Sequence, residues 1–390
     1  MTDTADVVVI GGGVQGASLA FHLASRGARV TVVERSTIGA GATGRSSGLV
    51  RVYYDLLAEA RLAAVAMEWF RSWEARVGGD CGFTRAGFLW IEDGDATERV
   101  RANVASHREL GVDSHVVDAA AIRELAPGLA VADGEVAAWE PESGYADPSM
   151  TAGSFMRAAR DRGARLVQGA AVTTIPIDGG RVRGVVTTAG AIDAPVVVNA
   201  AGGWAGTLAG LAGLDLPLTV WRHDTGYLGV PPAVPRPIPV VIDIPNEMYF
   251  RPEGGELVLV GLEDDNQMGG DPDRETGTAA VAFHDRASER IVRRVPGLID
   301  GTFRASHSGQ DGLTTTDQRP LLGPAGPDGF YLDCGHSGTG FKTSPAVGLG
   351  MAEWILDGAP RSVDLSPFAY TRVAEGRLLE GEHGGAPVWR

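Results

Sequence analysis

An α/β fold is predicted by three features of this sequence. A short apolar run, Val7-Val8-Val9-Ile10, enters the glycine turn Gly11-Gly12-Gly13-Val14-Gln15-Gly16 and is followed by a helical stretch. A second run, Val196-Val197-Val198, passes through Asn199-Ala200-Ala201 into Gly202-Gly203-Trp204. A third, Gly329-Phe330-Tyr331-Leu332-Asp333-Cys334, ends at Gly335. Strands buried on both faces of a parallel sheet read as continuous apolar runs of this kind. Their wide spacing means that one parallel layer is assembled from distant segments of the chain.

The first junction has the form of a Rossmann-type dinucleotide-binding unit. Ala17–Ala24 reads as a helix closed near Gly27, and Arg29–Val33 as a second strand ending at Glu34. Gly11 allows the tight turn, Gly13 lets backbone approach a pyrophosphate, and Gly16 lets helix and strand pack closely. The helix N-terminus, at Val14 and Gln15, offers free N–H groups and a partial positive charge to phosphates. Glu34, followed by Arg35, is placed to accept hydrogen bonds from a ribose, which disfavours a 2′-phosphate. A glycine pattern alone says little in a chain with 55 glycines. Strand, turn, helix, strand and terminal acid together are specific.

The next segment separates FAD from NAD. Gly39–Gly48 is a second small-residue loop, which a nicotinamide enzyme does not need directly after Glu34. It is expected to wrap a pyrophosphate through Ala42, Thr43, Arg45, Ser46 and Ser47 and to lead toward an isoalloxazine ring. Val172, Ala200, Gly202 and Trp204 are expected to add contacts from the middle of the chain. Gly312, Leu313, Gly338, Gly340 and Phe341 are expected to add others from its last third. The expectation is FAD in an extended pose.

The bulk composition narrows the class. A chain of 390 residues with 44% hydrophobic and 21% charged residues is globular, and its length favours two domains. A formal net charge of −15 argues against nucleic acid or anionic membrane as a partner. Two cysteines, Cys81 and Cys334, are too few for a disulfide framework or a metal cluster, so no metal is expected. The acidic start, Met1–Asp6, lacks the basic residues of a signal peptide. The longest nearly uncharged stretch, 194–220, contains Asn199, Asp215 and two prolines and is a poor membrane span. A soluble, cytoplasmic protein is expected.

One basic residue stands apart. Of the 34 basic side chains all but one are arginine, and the exception, Lys342, ends the run Gly335-His336-Ser337-Gly338-Thr339-Gly340-Phe341-Lys342. Against such an arginine bias, a lysine marks a place where a compact ammonium serves and a planar guanidinium does not.

These residues together resemble the D-amino-acid oxidase superfamily of FAD-dependent oxidoreductases, in particular its sarcosine oxidase-like branch. The resemblance rests on Gly335–Lys342, on Ser47-Gly48-Leu49-Val50-Arg51-Val52-Tyr53-Tyr54, on Gly144-Tyr145-Ala146-Asp147-Pro148, and on Thr315–Gly323. It implies a discontinuous FAD-binding domain, near 1–85, 146–216 and 313–390. It also implies an α+β substrate domain on a large antiparallel sheet, near 86–145 and 217–312. In that second part Pro231–Pro237 reads as a stiff connector. Met248–Arg251 and Leu257–Val260 read as a hairpin. Ala102–Leu110 and Arg286–Val295 read as amphipathic helices.

The resemblance further implies oxidation of the C–N bond of an amino acid or N-alkyl amino acid, with hydride passing to flavin N5 and the imine then hydrolysed. Arg51 and Lys342 map onto the branch's anchors for the substrate carboxylate. Lys342 has two rival roles, pairing with the flavin N1–C2=O edge or serving oxygen, and the sequence leaves all three open. Tyr249 either lines the substrate pocket or packs as a strand aromatic. His223 and His336 are each candidates for a base or polarising group, with simple hydrogen bonding as the alternative.

Three departures from the branch matter. Gln310 stands where it often carries a flavin-linking cysteine, so FAD is expected to be non-covalent. Thr339 replaces the histidine of the C-terminal run and is expected to alter the pocket wall. Gly269 falls where the oxygen-activating lysine is carried, which leaves oxygen or another acceptor open. Oxidation of a 2-hydroxy acid, tailoring of a larger metabolite, and a non-catalytic flavoprotein subunit or assembly factor are the competing functions.

Overall fold

A computed structural model describes residues 3–263, 267–274 and 277–383. Its first layer is a six-stranded sheet in the order Leu321–Pro324, Phe330–Cys334, Val196–Asn199, Val7–Ile10, Val30–Glu34, Arg165–Gln168. All neighbours pair in parallel except the Leu321–Pro324 edge strand. The three apolar runs that predict the fold are therefore adjacent central strands.

Strand alternation divides the core. Val7 and Val9 pack with the helices Val14–Ser25, Leu57–Arg71, Pro148–Asp161 and Gly340–Asp357 on one face. Val8 and Ile10 pack on the other face against a small sheet of Asp3–Thr4, Gly190–Asp193, Gly184–Thr187 and Val172–Thr174. Successive side chains on a strand point to opposite faces, so a run buried at all four positions requires cover on both sides.

The Gly340–Asp357 helix carries Pro345 inside its second turn. The proline removes one ladder donor, and the Ser344 hydroxyl donates to the Phe341 carbonyl at 2.9 Å in its place. Ser18 of the first helix donates to the Ser344 carbonyl at 2.7 Å. The two helices that begin beside the parallel strands are thereby fixed against each other.

The second layer is a nine-stranded sheet. Its path runs Gln267–Met268, Leu218–Gly229, Leu257–Leu262, Met248–Glu253, Val240–Asp243, Phe88–Glu92, Val136–Glu140, His115–Asp118, and Phe303–Thr314 also pairs with Leu218–Gly229. Its pairings are antiparallel except at one seam, where Val240–Asp243 lies parallel to Phe88–Glu92 and joins two separated parts of the chain. The expected hairpin forms with extended arms, Met248–Glu253 and Leu257–Leu262. The two expected helices are longer than their apolar periodicity, at Thr97–Glu109 and Val281–Arg294. The first begins with polar residues that carry no apolar signal, Thr97-Glu98-Arg99, and Glu98 pairs with Arg101 at 2.7 Å. Phe283 extends the buried stripe of the second. No helix among the described residues is long and apolar enough to cross a membrane.

Candidate active site

The carboxyl ends of the central parallel strands open onto one cavity of about 850 Å³, closed on its far side by the large sheet. Ligands in open α/β sheets bind at this edge, and the volume lies toward the upper end of the roughly 300–1,000 Å³ usual for small-molecule sites.

One half of the cavity is built of backbone and small side chains. Gly11, Gly13, Val14 and Gln15 line it where the Val7–Ile10 strand turns into its helix. The first bond of that helix runs from Ala17 N–H to the Gly13 carbonyl at 2.9 Å, so the amides of Gln15 and Gly16 stand outside the ladder. Val14 N–H donates to Thr43 Oγ1 at 3.0 Å, which draws the Gly39–Gly48 loop over the helix start. Ala42, Arg45, Ser46, Ser47, Ala200, Gly202 and Val172 line the same half. Both carboxylate oxygens of Glu34 accept backbone amides at 2.7 Å, from Gly12 and Ser36. Each retains a lone pair for a hydroxyl. Beside it the Arg35 guanidinium lies 4.1 Å over the Trp204 ring, and Trp204 Nε1 donates to Asp273 at 2.8 Å.

Four expected lining residues lie off the wall. A methyl group at Gly16 would overlap the Gly11 carbonyl, so that glycine keeps helix and strand in contact. Gly312 packs against the Gly202 carbonyl, and Leu313 is buried in a bridge to His336, leaving Gly309, Gln310 and Asp311 at the surface of the cavity. Thr339 does not alter the pocket wall. Its hydroxyl donates to the His336 carbonyl at 2.8 Å inside the turn that starts the Gly340–Asp357 helix, which points the side chain away.

The other half carries charge and aromatic rings. Arg51, 2% exposed, donates to the Tyr53 carbonyl and stacks 4.3 Å over the Tyr54 ring. Lys342, 5% exposed, reaches the same ring with its Nζ at 5.7 Å and donates to the Gly338 carbonyl at 3.2 Å. Burial first, and the neighbouring Arg51 second, push the Lys342 ammonium well below its ordinary pKa, against Glu59 and Asp311. Among the described residues no carboxylate lies within ion-pair distance of Lys342. Glu59 is instead engaged by Arg319, which also binds Asp55 at 3.1 Å.

In the same half, Tyr249 and His223 form a pair, hydroxyl to Nε2 at 2.7 Å with the rings stacked at 5.5 Å. Burial raises the Tyr249 hydroxyl above its ordinary range. Trp221 continues the wall, 5.3 Å from the His223 ring. His336 lines the cavity with both ring nitrogens facing protein groups, Nε2 to Asp333 at 2.9 Å and Nδ1 to Gln15 at 3.4 Å. Gln310 lines the cavity, whereas Gly269 sits exposed outside it, its N–H on the Val220 carbonyl at 2.8 Å.

Sequence reasoning missed several residues that the fold brings here. Asp311 accepts from Gly338 N–H at 3.1 Å and Gly312 N–H at 2.7 Å, and so ties the Phe303–Thr314 strand to the lysine turn. Burial raises its carboxyl, against those amides, His336 and Lys342. Tyr54 lies inside the Ser47–Tyr54 segment, and Trp221 and His307 carry no local mark.

The donor set fits an extended dinucleotide. The 12-residue helix Val14–Ser25 and the 18-residue helix Gly340–Asp357 both begin at the cavity, and neither has an acid in its first turn. Two such N-termini favour a pyrophosphate and the electron-rich edge of a ring system, and Glu34 supplies the acceptor for a ribose. These features define a dinucleotide-binding protein with a partly charged chamber beside the nucleotide site.

More specifically, the chain belongs to the family of FAD dependent oxidoreductases designated DAO, whose family pattern matches residues 6–354. It is 31% identical to human mitochondrial sarcosine dehydrogenase, over 92% of this chain and 40% of that one. To the sarcosine oxidase subunit beta of an Arthrobacter species it is 27% identical, over 98% of this chain and 94% of that one. Among solved structures, L-proline dehydrogenase from P. horikoshii superposes with a TM-score of 0.90 at 26% identity, covering 97% of this chain and all of that one. Glycine oxidase from Geobacillus kaustophilus gives 0.83 at 26% identity, covering 95% and 99%. The chain spans about two-fifths of the length of the mammalian sarcosine dehydrogenases it matches.

Proposed function

We propose that this protein oxidises the C–N bond of a small amino acid or N-alkyl amino acid, the substrate being held by its carboxylate. The observation that carries this reading is the pair of buried cations, Arg51 and Lys342, at one end of the cavity. Lys342 in particular is buried with no carboxylate within ion-pair distance among the described residues, and desolvated positive charge of this kind is costly unless an anion arrives. FAD, when bound, supplies the two-electron acceptor.

Arg51 supplies two parallel hydrogen bonds to the carboxylate, and Lys342 a second charge. Together they fix the substrate's orientation, the main contribution a protein makes to a cofactor's chemistry. The carbon bearing nitrogen is then directed toward the wall of Tyr249, His223 and Trp221. The imine product is hydrolysed by water. The relatives support this class, since sarcosine and dimethylglycine each carry a carboxylate and an amine, as does 4-methylaminobutanoate, named for an oxidase 27% identical to this chain.

FAD is held without a covalent bond, because Gln310 offers no thiol at the cavity wall. The parallel layer forms an FAD domain near 1–85, 146–216 and 313–390, and the large sheet a substrate domain near 86–145 and 217–312. Two free, buried thiols, Cys81 and Cys334, are in keeping with a reducing, cytoplasmic setting.

The test is anaerobic mixing of the FAD-loaded protein with sarcosine, dimethylglycine, proline, glycine and D-amino acids. Bleaching of the flavin by at least one of them is expected. A flavin that no amine or amino acid of the panel reduces overturns the reading, and reduction by 2-hydroxy acids alone replaces it.

A further inference from the structure

The Tyr249–His223 contact spans an unusual distance for a side-chain pair in a sheet. Tyr249 lies on the strand Met248–Glu253 and His223 on Leu218–Gly229, and Leu257–Leu262 runs between them, paired to both. Neighbouring strands are about 4.8 Å apart, so these two backbones are separated by roughly 9.6 Å. The tyrosine ring must therefore cross the middle strand to place its hydroxyl 2.7 Å from His223 Nε2.

What it crosses is Gly261. This residue is the cross-strand partner of Tyr249 on one side and of Thr225 on the other. A methyl group at Gly261 would overlap Cζ, Cε1 and the hydroxyl of Tyr249. Gly261 is not among the positive-φ residues, so the backbone does not demand a glycine there. Glycine inside a strand otherwise weakens it and marks a close approach. Here the approach is that of an aromatic ring on its way to a histidine.

We propose that Gly261 is a positioning residue of the active site. By leaving a bed for the Tyr249 ring, it holds the hydroxyl on His223 Nε2 and thereby sets the tautomer and orientation of the imidazole that faces the substrate. This rests on the reading of the cavity as an amine-oxidising site only for its kinetic part. A side chain at 261 lifts the ring and dissolves the pair, while Arg51 and Lys342 stay in place. A glycine that mattered to strand stability alone would leave the ionisation of His223 untouched.

Two measurements on the FAD-loaded protein decide it. The first is NMR titration of the histidine ring carbons in wild type, Gly261→Ala and Tyr249→Phe, with His223→Asn assigning the signal. The expected result is one and the same displacement of the His223 titration in Gly261→Ala and Tyr249→Phe. The second is the pH profile of flavin reduction by the best amine of the panel. Gly261→Ala is expected to slow reduction on the order of 10–100-fold, the size of loss that an ångström of misplacement brings, and to move the profile as Tyr249→Phe does. In a Tyr249→Ala background the glycine substitution should cost nothing further.

An unchanged His223 titration in Gly261→Ala overturns the proposal, and so does full additivity with Tyr249→Ala. If Gly261→Ala does not fold, the double variant Tyr249→Ala/Gly261→Ala should fold again, and failure of that rescue also overturns it. If no amine reduces even the wild type, the amine reading falls, and the titration still decides the role of Gly261.

Discussion

Arg51 and Lys342 share the ring of Tyr54, the guanidinium carbon 4.3 Å and the ammonium nitrogen 5.7 Å from its centroid. Lys342, nearly without solvent and beside a second cation, carries a charge that the protein keeps at a cost to its own stability. That cost has a pH signature. The Lys342 pKa is depressed in the folded state by burial and by Arg51, so between the folded and unfolded values the unfolded chain binds more protons. Stability then rises with pH across that window. The penalty is full below the folded pKa and gone above the ordinary ammonium range. FAD-free Lys342→Met should melt above the wild type, by a wider margin at pH 7 than at pH 10. A margin equal at both values, or a lower melting temperature at both, contradicts this account of the site.

The same pair should govern anion affinity. Lysine at position 51 keeps a charge but not the planar fork that binds a carboxylate through two parallel bonds. Charge-assisted hydrogen bonds are worth about 1.5–3 kcal/mol. Titrating FAD-loaded Arg51→Lys with acetate, followed by flavin absorbance, should therefore show affinity weakened by roughly 10–100-fold. Equal affinity for acetate in variant and wild type removes Arg51 from the clamp.

Gln310 lines the cavity beside Gly309 and Asp311, and a glutamine side chain forms no bond to a flavin ring. Denaturing the FAD-loaded protein in acid and separating chain from supernatant should leave all flavin absorbance in the supernatant. Flavin that stays with the precipitated chain refutes non-covalent binding.

What the sequence disclosed and what it hid follow one physical division. Gly11, Gly13 and Glu34 are legible because a phosphate turn is made by neighbours in the chain, with strand, turn and helix in fixed order. Lys342 is legible for a different reason, its isolation among arginines. Asp311 and Tyr54 escaped, since each acquires its role only when the Phe303–Thr314 strand and the Arg51 segment meet the lysine turn. Gly261 escaped more completely. Its meaning depends on the register of three strands, and register is invisible in a linear pattern of apolar residues. Motif position also misled in the reverse direction. Gly312, Leu313 and Thr339 sit within segments that border the cavity, yet side-chain direction and backbone packing turn them away from it.

Thr339 makes that last point measurable. Its position in the lysine run suggested a part in shaping the pocket, but its hydroxyl is spent on the His336 carbonyl, and its own carbonyl receives the Thr343 hydroxyl at 3.0 Å. A buried hydroxyl bonded to backbone contributes about 1 kcal/mol. Thr339→Ala also leaves the His336 carbonyl one donor short, so the loss falls on the turn that starts the Gly340–Asp357 helix. Thr339→Ala should therefore lower unfolding free energy by about 1–2 kcal/mol in denaturant titration. The KM for the best amine substrate should remain within about twofold, roughly 0.4 kcal/mol of binding free energy, since the side chain does not line the cavity. A KM change of tenfold with stability intact would put Thr339 back on the pocket wall and set this side-chain orientation aside.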